Sequence, residues 1–183
     1  MTTATQTSIS TWTVDPAHSI VEFAVKHLVI TTVKGRFRDF EGTIRIDESH
    51  PENSSVSASA DVASIDTDTP DRDAHLRSDD FFNAERYPKI TFQSTGVERV
   101  DDTHYKVHGD LTIRDVTKPV VLDVEFEGEV NDPWGHRRAA FTATTQISRN
   151  EFGVKWNQLI ETGGAVVSDN VKITLNVEAV RQS

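Results

Sequence analysis

Asp15, His18 and His27 combine a carboxylate with two imidazoles, the residue types that hold a transition metal or relay a proton. Their spacing argues against both. If residues 19 to 26 form a strand rising ~3.3 Å per residue, the two imidazoles stand roughly 30 Å apart, whereas zinc–nitrogen bonds are about 2 Å. Asp15-Pro16-Ala17-His18 reads instead as a turn, the Asp15 carboxylate accepting from nearby backbone N–H groups and Pro16 setting the next residue. His18 and His27 then mark opposite ends of one wall. His104 and His108 share strand parity but lie ~13 Å apart along a strand, and their parity opposes the apolar row of Tyr105, Val107 and Leu111. Both are expected in solvent. His75 falls on a predicted helix with nothing near it in sequence to complete a triad or ligand set.

The acidic run from Asp66 to Asp73 has Asp71 and Arg77 where a calcium-binding EF-hand loop requires glycine and glutamate, so it reads as an acidic helix start. Nucleophile elbows, phosphate loops, dinucleotide fingerprints, zinc-protease helices and cysteine motifs are all missing from the sequence. No catalytic residue and no metal ligand is predicted. Scattered carboxylates could still meet in the fold, but the acids at 123, 125, 127 and 129 read as the wet face of a strand.

The elements that would position these groups have period two. Val21, Phe23 and Val25 alternate with Glu22, Ala24 and Lys26, which puts apolar and mostly polar residues on opposite strand faces. Apolar parity switches between Phe37 and Phe40, predicting a bulge or bend at Arg38-Asp39. The pattern returns at Val56, Ala58, Ala60 and Val62, at Ile90 and Phe92, at Tyr105 to Ile113, at Val120 to Val130, at Phe141 to Ile147 and at Val171 to Val177. Turn chemistry separates the segments, for example Asp101-Asp102, Asn131 to Gly135 and Gly163-Gly164.

Two stretches look helical: a weak one from His27 to Lys34, stopped by Gly35, and a firmer one capped at Thr69-Pro70-Asp71 and running to about Ser78. The fold class is therefore all-β. Long antiparallel strands with one apolar face each must pack as two sheets or close on themselves, and closure into an extended eight-stranded barrel, with short helices closing or flanking one end, leaves no edges.

The chain has 183 residues, the size of one domain, a formal charge of -10 and no cysteine. Nucleic acid and anionic lipid surfaces are both disfavoured as partners of the chain as a whole, because both require a basic footprint. No apolar run approaches the roughly 20 residues of a transmembrane helix. Residues 1–11 read as a disordered lead-in without signal-peptide features, which points to the cytoplasm, and residues 12–183 as a single domain.

The row Val56, Ala58, Ala60 and Val62 is small throughout. Facing a barrel axis it would leave a void, and ~200 Å³ left empty costs about 5 kcal/mol at ~24 cal/mol per Å³. Two occupants remain open at this point: a plug made of Phe81, Phe82 and the segment from His27 to Val33, or an apolar ligand.

The stretches DPAHSIVEFAVKHL with VKGRF, FEGTIRID, HLRSDDFFNAERYPKITFQST, GDLTIRDVTKPVVLDVEF, DPWGHRRAAF and ISRNEFGVKWN followed by ETGG occur in order between residues 12 and 180. Together they resemble the YceI family of lipocalin-like, polyisoprenoid-binding proteins. Asp115 and Ser168 stand where that pattern would have glycine. The resemblance implies a barrel whose elongated cavity takes a polyprenyl or quinone-like lipid, a dimer in many members, and no catalytic residues. Combined with strand parity, it makes Phe23, Val25, Leu28, Phe37, Val56, Ala58, Phe81, Phe82, Phe92, Leu111, Phe126, Phe141 and Trp156 candidates for the lining, with His27 at the rim. The expected function is noncatalytic binding, carriage or sequestration of such a lipid. The alternatives are an enzyme acting on a lipid or small hydrophobic substrate inside the barrel, and a packed interaction module.

Overall fold

Each alternating segment becomes a strand, except that Val62, the last of the small-residue row, lies buried in a 3-10 turn after the strand and does not face the cavity. The computed structural model describes residues 8–158 and 166–183, so the expected Gly163-Gly164 turn lies outside the described residues, as do residues 1–7 of the expected lead-in. In order, the strands are β1 (Ile9–Val14), β2 (Ile20–His27), β3 (Thr31–Phe37), β4 (Phe40–Asp47), β5 (Ser55–Asp61), β6 (Ile65–Asp66), β7 (Lys89–Arg99), β8 (His104–Ile113), β9 (Val116–Asn131), β10 (Arg137–Ser148) and β11 (Val167–Arg181). The helix α1 (Pro70–Arg77) lies between β6 and β7. β1 starts at Ile9, inside the expected lead-in, because Ser10 is buried and its Oγ accepts the Trp12 indole N–H at 2.8 Å.

Eleven strand segments make eight walls. β1 and β2 are one strand broken at residues 15–19, and both run antiparallel to β11, with Val14 opposite Ala179 and Ile20 opposite Asn176. The pairs β3/β4 and β5/β6 are likewise single strands with a bend, the first at the predicted Arg38-Asp39 position. All pairings are antiparallel; each wall pairs with the next in sequence, and β1 and β2 also pair with β11, the last wall, which closes the ring. Closure satisfies the backbone groups that an open edge would leave unpaired.

The segment from His27 to Lys34 is not a helix. It is the turn and second arm of the β2–β3 hairpin, with Val25 opposite Val33 and His27 opposite Thr31. Threonine and valine at 31–33 favour extended backbone, and pairing with β2 outweighs a weak helical pattern. The predicted helix at residues 69–78 forms as α1, with Pro70 first and acids in its first turn, but Thr69 makes no side-chain cap. Asp73 is buried and accepts instead from Thr67 N at 2.9 Å and Thr67 Oγ1 at 2.5 Å, tying the helix to its entry.

One part of the barrel is solid. Trp12, Ala139 and Ala179 are almost fully buried, with Ile44, Ile46, Phe126 and Phe141 packed around them. Beside this plug lies an ion network in which Arg138 donates to Asp132 at 2.8 Å, and to Asp15 and Glu178 at 2.9 Å each. The Arg138 hydrogen bond is the largest influence holding the Asp132 carboxyl down to about 2. Asp101 is held at about 2 chiefly by the Thr103 N–H, and its hydrogen bond raises His104.

These shifts have opposite signs. Carboxyls whose folded pKa is depressed stabilise above their unfolded value of about 3.9 and lose that contribution as pH falls toward 2. A raised histidine stabilises below about 6.5 and fades as pH rises through its folded value. Thermal denaturation followed by circular dichroism is expected to show highest stability between these limits and a fall below pH ~4. Arg138→Gln is expected to remove part of the acid-side loss.

Candidate ligand cavity

Small residues on β5 and larger ones from the other walls line one internal space, a cavity of about 250 Å³. Its lining comes from all eight walls: Val21, Phe23 and Val25 of β2, Phe37 of β3, Val56, Ala58 and Ala60 of β5, Phe92 of β7, Leu111 of β8, Val120 of β9, Ile147 of β10, and Val171 to Val177 at alternate positions of β11. Leu76 of α1 and the Phe81-Phe82 pair that follows it also contribute. The lining positions 171 to 177 alone extend ~20 Å along their strand. Left empty, such a volume costs about 6 kcal/mol, comparable with the stability of a domain.

Nine of the predicted lining residues border this space: Phe23, Val25, Phe37, Val56, Ala58, Phe81, Phe82, Phe92 and Leu111. Four others and His27 do not. Phe126 and Phe141 have inward parity but sit with ring centroids 5.5 Å apart in the Trp12 plug. Trp156 packs edge-on to the His75 ring at 4.8 Å and beside Phe81 at 5.3 Å, behind the lining. Leu28 lies on the hairpin turn, 37% exposed, and no residue from 27 to 33 borders the cavity, so of the side-chain plug weighed as one alternative only Phe81 and Phe82 reach it. His27 ends β2 opposite Val167 and is not a lining residue. Leu76 was missed, although it is the one large aliphatic residue in an otherwise polar helix, a signal that was present.

Glycines keep two of the phenylalanines out of the cavity's centre. A Cβ on Gly35 would lie 2.4 Å from Phe23 Cζ, and one on Gly109 would lie 2.4 Å from Phe92 Cζ. Each ring therefore rests over bare backbone. Gly35→Ala is expected to push the Phe23 ring into the cavity, destabilising the fold by ~1–3 kcal/mol and shortening the space for a guest; differential scanning calorimetry and a lipid titration check the two effects.

Three lining residues are ionisable, Glu22, Glu41 and Arg149, and each has a partner. Glu22 lies 3.6 Å from Lys34 Nζ, and Glu41 accepts from Ser59 Oγ at 3.3 Å. Arg149 is buried and donates to the carbonyls of Ser168, Val154, Trp156 and Val167 at 2.8 to 3.0 Å. Burial lowers its pKa and the Asp169 carboxylate opposes that shift.

The histidines sit as their parity implies. His104 and His108 are exposed on β8, and His75 bonds Asp80 at 2.8 Å on the surface. Asp15, His18 and Glu178 do approach within ligand distance of one another. The Arg138 guanidinium bridges the two carboxylates, so a cation is already in place, and Asp15 is lowered first by its bond to His18. Asp115 needs no glycine-like backbone: Arg114 takes the positive φ, 55°, and its guanidinium is held by the Asp79 and Phe81 carbonyls at 2.9 and 2.7 Å.

A closed antiparallel barrel with an apolar internal cavity, sealed by an aromatic plug, defines a lipocalin-like binding barrel. The model of the YceI-like domain matches residues 12–179, and the chain belongs to that family. It is 39% identical to the protein YceI of Escherichia coli O157:H7 over 165 residues, which cover 90% of this chain and 83% of that one. The crystal structure of the Campylobacter jejuni YCEI protein superposes with a TM-score of 0.75 at 33% identity, covering 86% of this chain and 90% of that one. Burkholderia cenocepacia BcnA gives 0.79 at 26% identity, covering 90% and 98%. A polyisoprenoid binding domain from Saccharophagus degradans shares the fold, with a TM-score of 0.67 at 14% identity, covering 93% and 98%. No helix among the described residues is long and apolar enough to cross a membrane.

Proposed function

We propose that this protein binds and carries a long apolar isoprenoid-type lipid, polyprenyl or quinone-like, in the barrel cavity without reacting with it. The observation that supports the reading most is the elongated lining, apolar throughout apart from a few polar residues whose ionisable members are all paired. Each CH₂ moved from water into such a lining contributes ~0.8 kcal/mol, so ten give ~8 kcal/mol gross, the scale of a micromolar complex. Length and width would then select the guest. The Saccharophagus degradans domain is described as binding polyisoprenoid, which is compatible with this use of the fold. An enzyme would need titratable groups aimed into the cavity, and the pairing of Glu22, Glu41 and Arg149 speaks against that use.

Native mass spectrometry of protein purified from its host, followed by titration with a prenyl chain after organic extraction, tests the proposal. Retained or re-acquired lipid is expected. A chain that holds none and takes up none would end the carrier reading. Self-association, implied by the family resemblance, is checked on the same material by sedimentation velocity.

A further inference from the structure

The β2–β3 turn breaks two local rules at once. His27 O accepts from Ile30 N at 3.3 Å, with Leu28 at φ 51° and Val29 at φ 67° between them. Within a three-residue loop between the paired His27 and Thr31, these two positions have the left-handed backbone that asparagine and glycine normally supply. A β-branched side chain there is an outlier, because its Cβ crowds the adjoining carbonyl. The same turn presents apolar surface to water: Val29 is 65% and Ile30 78% exposed, beside Leu28. Strain and uncovered apolar groups in one place point to a use.

Charge along the hairpin itself runs against that of the chain as a whole, although the neighbouring strand adds Asp169, which accepts from Ser148 Oγ and Asn150 N. The chain carries -10, yet from Phe23 to Arg38 it contains Lys26, Lys34, Arg36 and Arg38 and no acid. Lys26 and Lys34 are exposed on the two arms of the hairpin, both on its outward face. Lys34 shares its charge with Glu22, and Arg38 is held by Asp66; Lys26 is the basic group nearest the tip. An apolar tip above a basic collar suits the boundary between anionic headgroups and acyl chains.

The tip also stands at one end of the cavity. It begins three residues beyond Val25, the last lining residue of β2, ~10 Å along the strand. Leu28 N donates to Val166 O at 2.9 Å, next to Val167, which is itself in the lining.

We propose that the β2–β3 tip docks this protein on an anionic lipid bilayer. Leu28, Val29 and Ile30 enter the acyl boundary while Lys26 and Lys34 meet the headgroups, bringing that end of the cavity to the surface from which an apolar tail is taken. The purpose of the contact rests on the carrier reading; its geometry does not. A second copy of the chain is the weaker occupant, because tip-to-tip association would set like-charged collars against each other.

Co-sedimentation of the full chain with vesicles of phosphatidylcholine, alone or mixed with phosphatidylglycerol, tests this. The wild type is expected on the mixed vesicles, with binding weakened by salt. Val29→Asn with Ile30→Ser is expected to lower vesicle affinity at least about tenfold while Tm holds or rises, since asparagine accepts the φ at 29. Lys26→Gln with Lys34→Gln, which leaves the tip intact, is expected to remove the preference for mixed vesicles. Equal vesicle binding by wild type and the tip variant overturns the proposal, as does a wild type that ignores both vesicles. A tip variant that only converts a dimer to monomer, seen by sedimentation velocity, overturns it too. Uptake of detergent-dispersed prenyl lipid is read in parallel: a tip variant that loads lipid but ignores vesicles supports docking, and a wild type that binds vesicles but never loads lipid refutes the carrier reading alone.

Discussion

Ala58→Phe is expected to weaken binding of a long apolar tail by roughly 200-fold while leaving the lipid-free protein as stable as the wild type, or more so. Ala58 faces the cavity from the middle of β5, between Gly42 on one neighbouring strand and Phe92 on the other. A benzyl group there enters space now empty, and exclusion of four methylenes of guest costs ~3 kcal/mol, or about two decades of affinity. The effect on stability is of the other sign. Overpacking destabilises a full core by ~1–3 kcal/mol, but a cavity of about 250 Å³ has room for the ring, and filling it recovers part of the void's penalty. Isothermal titration with a prenyl lipid and a thermal melt of stripped protein read the two effects separately. Undiminished affinity in a folded variant would place the guest somewhere other than this cavity.

Arg149→Ala is expected to lower stability by ~3–5 kcal/mol, on the order of 10 °C in Tm for a chain of this size. Four carbonyls, on residues 154, 156, 167 and 168, converge on one buried guanidinium. Truncation leaves them without a donor in a region packed by Phe152 and Val154, and an unsatisfied buried acceptor costs ~1–3 kcal/mol. Arg149→Lys is expected to recover little, because an ammonium cannot spread its donors over a planar fork. Thermal melting of both variants is the measurement; a loss under about 1 kcal/mol for the alanine variant would show that water replaces the guanidinium. The expected consequence for binding is secondary, since the lining would lose its boundary at Val154 and Val167.

Much of the architecture was legible because alternation is a local property. Each side chain on a strand points opposite to its neighbours, so Phe23, Val56, Ala58, Phe92 and Leu111 could be assigned to the inner face from parity. Their place on the lining follows from closure. The bend at Arg38-Asp39 was also readable, as a switch in parity. The turn at 28–30 was not: leucine and valine occupy positions where glycine or asparagine would have announced a hairpin, and the pattern passed for a weak helix.

Depth along the barrel was beyond the sequence for a different reason. Phe126 and Phe141 share the inward parity of Phe23 and Phe92, yet the first two pack around Trp12 and the others border the cavity. Nothing in the spacing separates them, because the distinction lies in what stands across the barrel. Arg149 is a similar case: one basic residue among nineteen Lys and Arg is buried to hold backbone carbonyls brought together from separate segments.

From the sequence alone came the all-β class, the closed antiparallel barrel, the small-residue row that left room for either a plug or a guest, and the family likeness. Only the tertiary structure decided where the hollow ends and the plug begins, which arginine closes its boundary, and that Val29 and Ile30 at the hairpin tip are exposed. Period and turn chemistry are written in adjacent residues; volume is set by side chains that meet only after the sheet has curled round on itself.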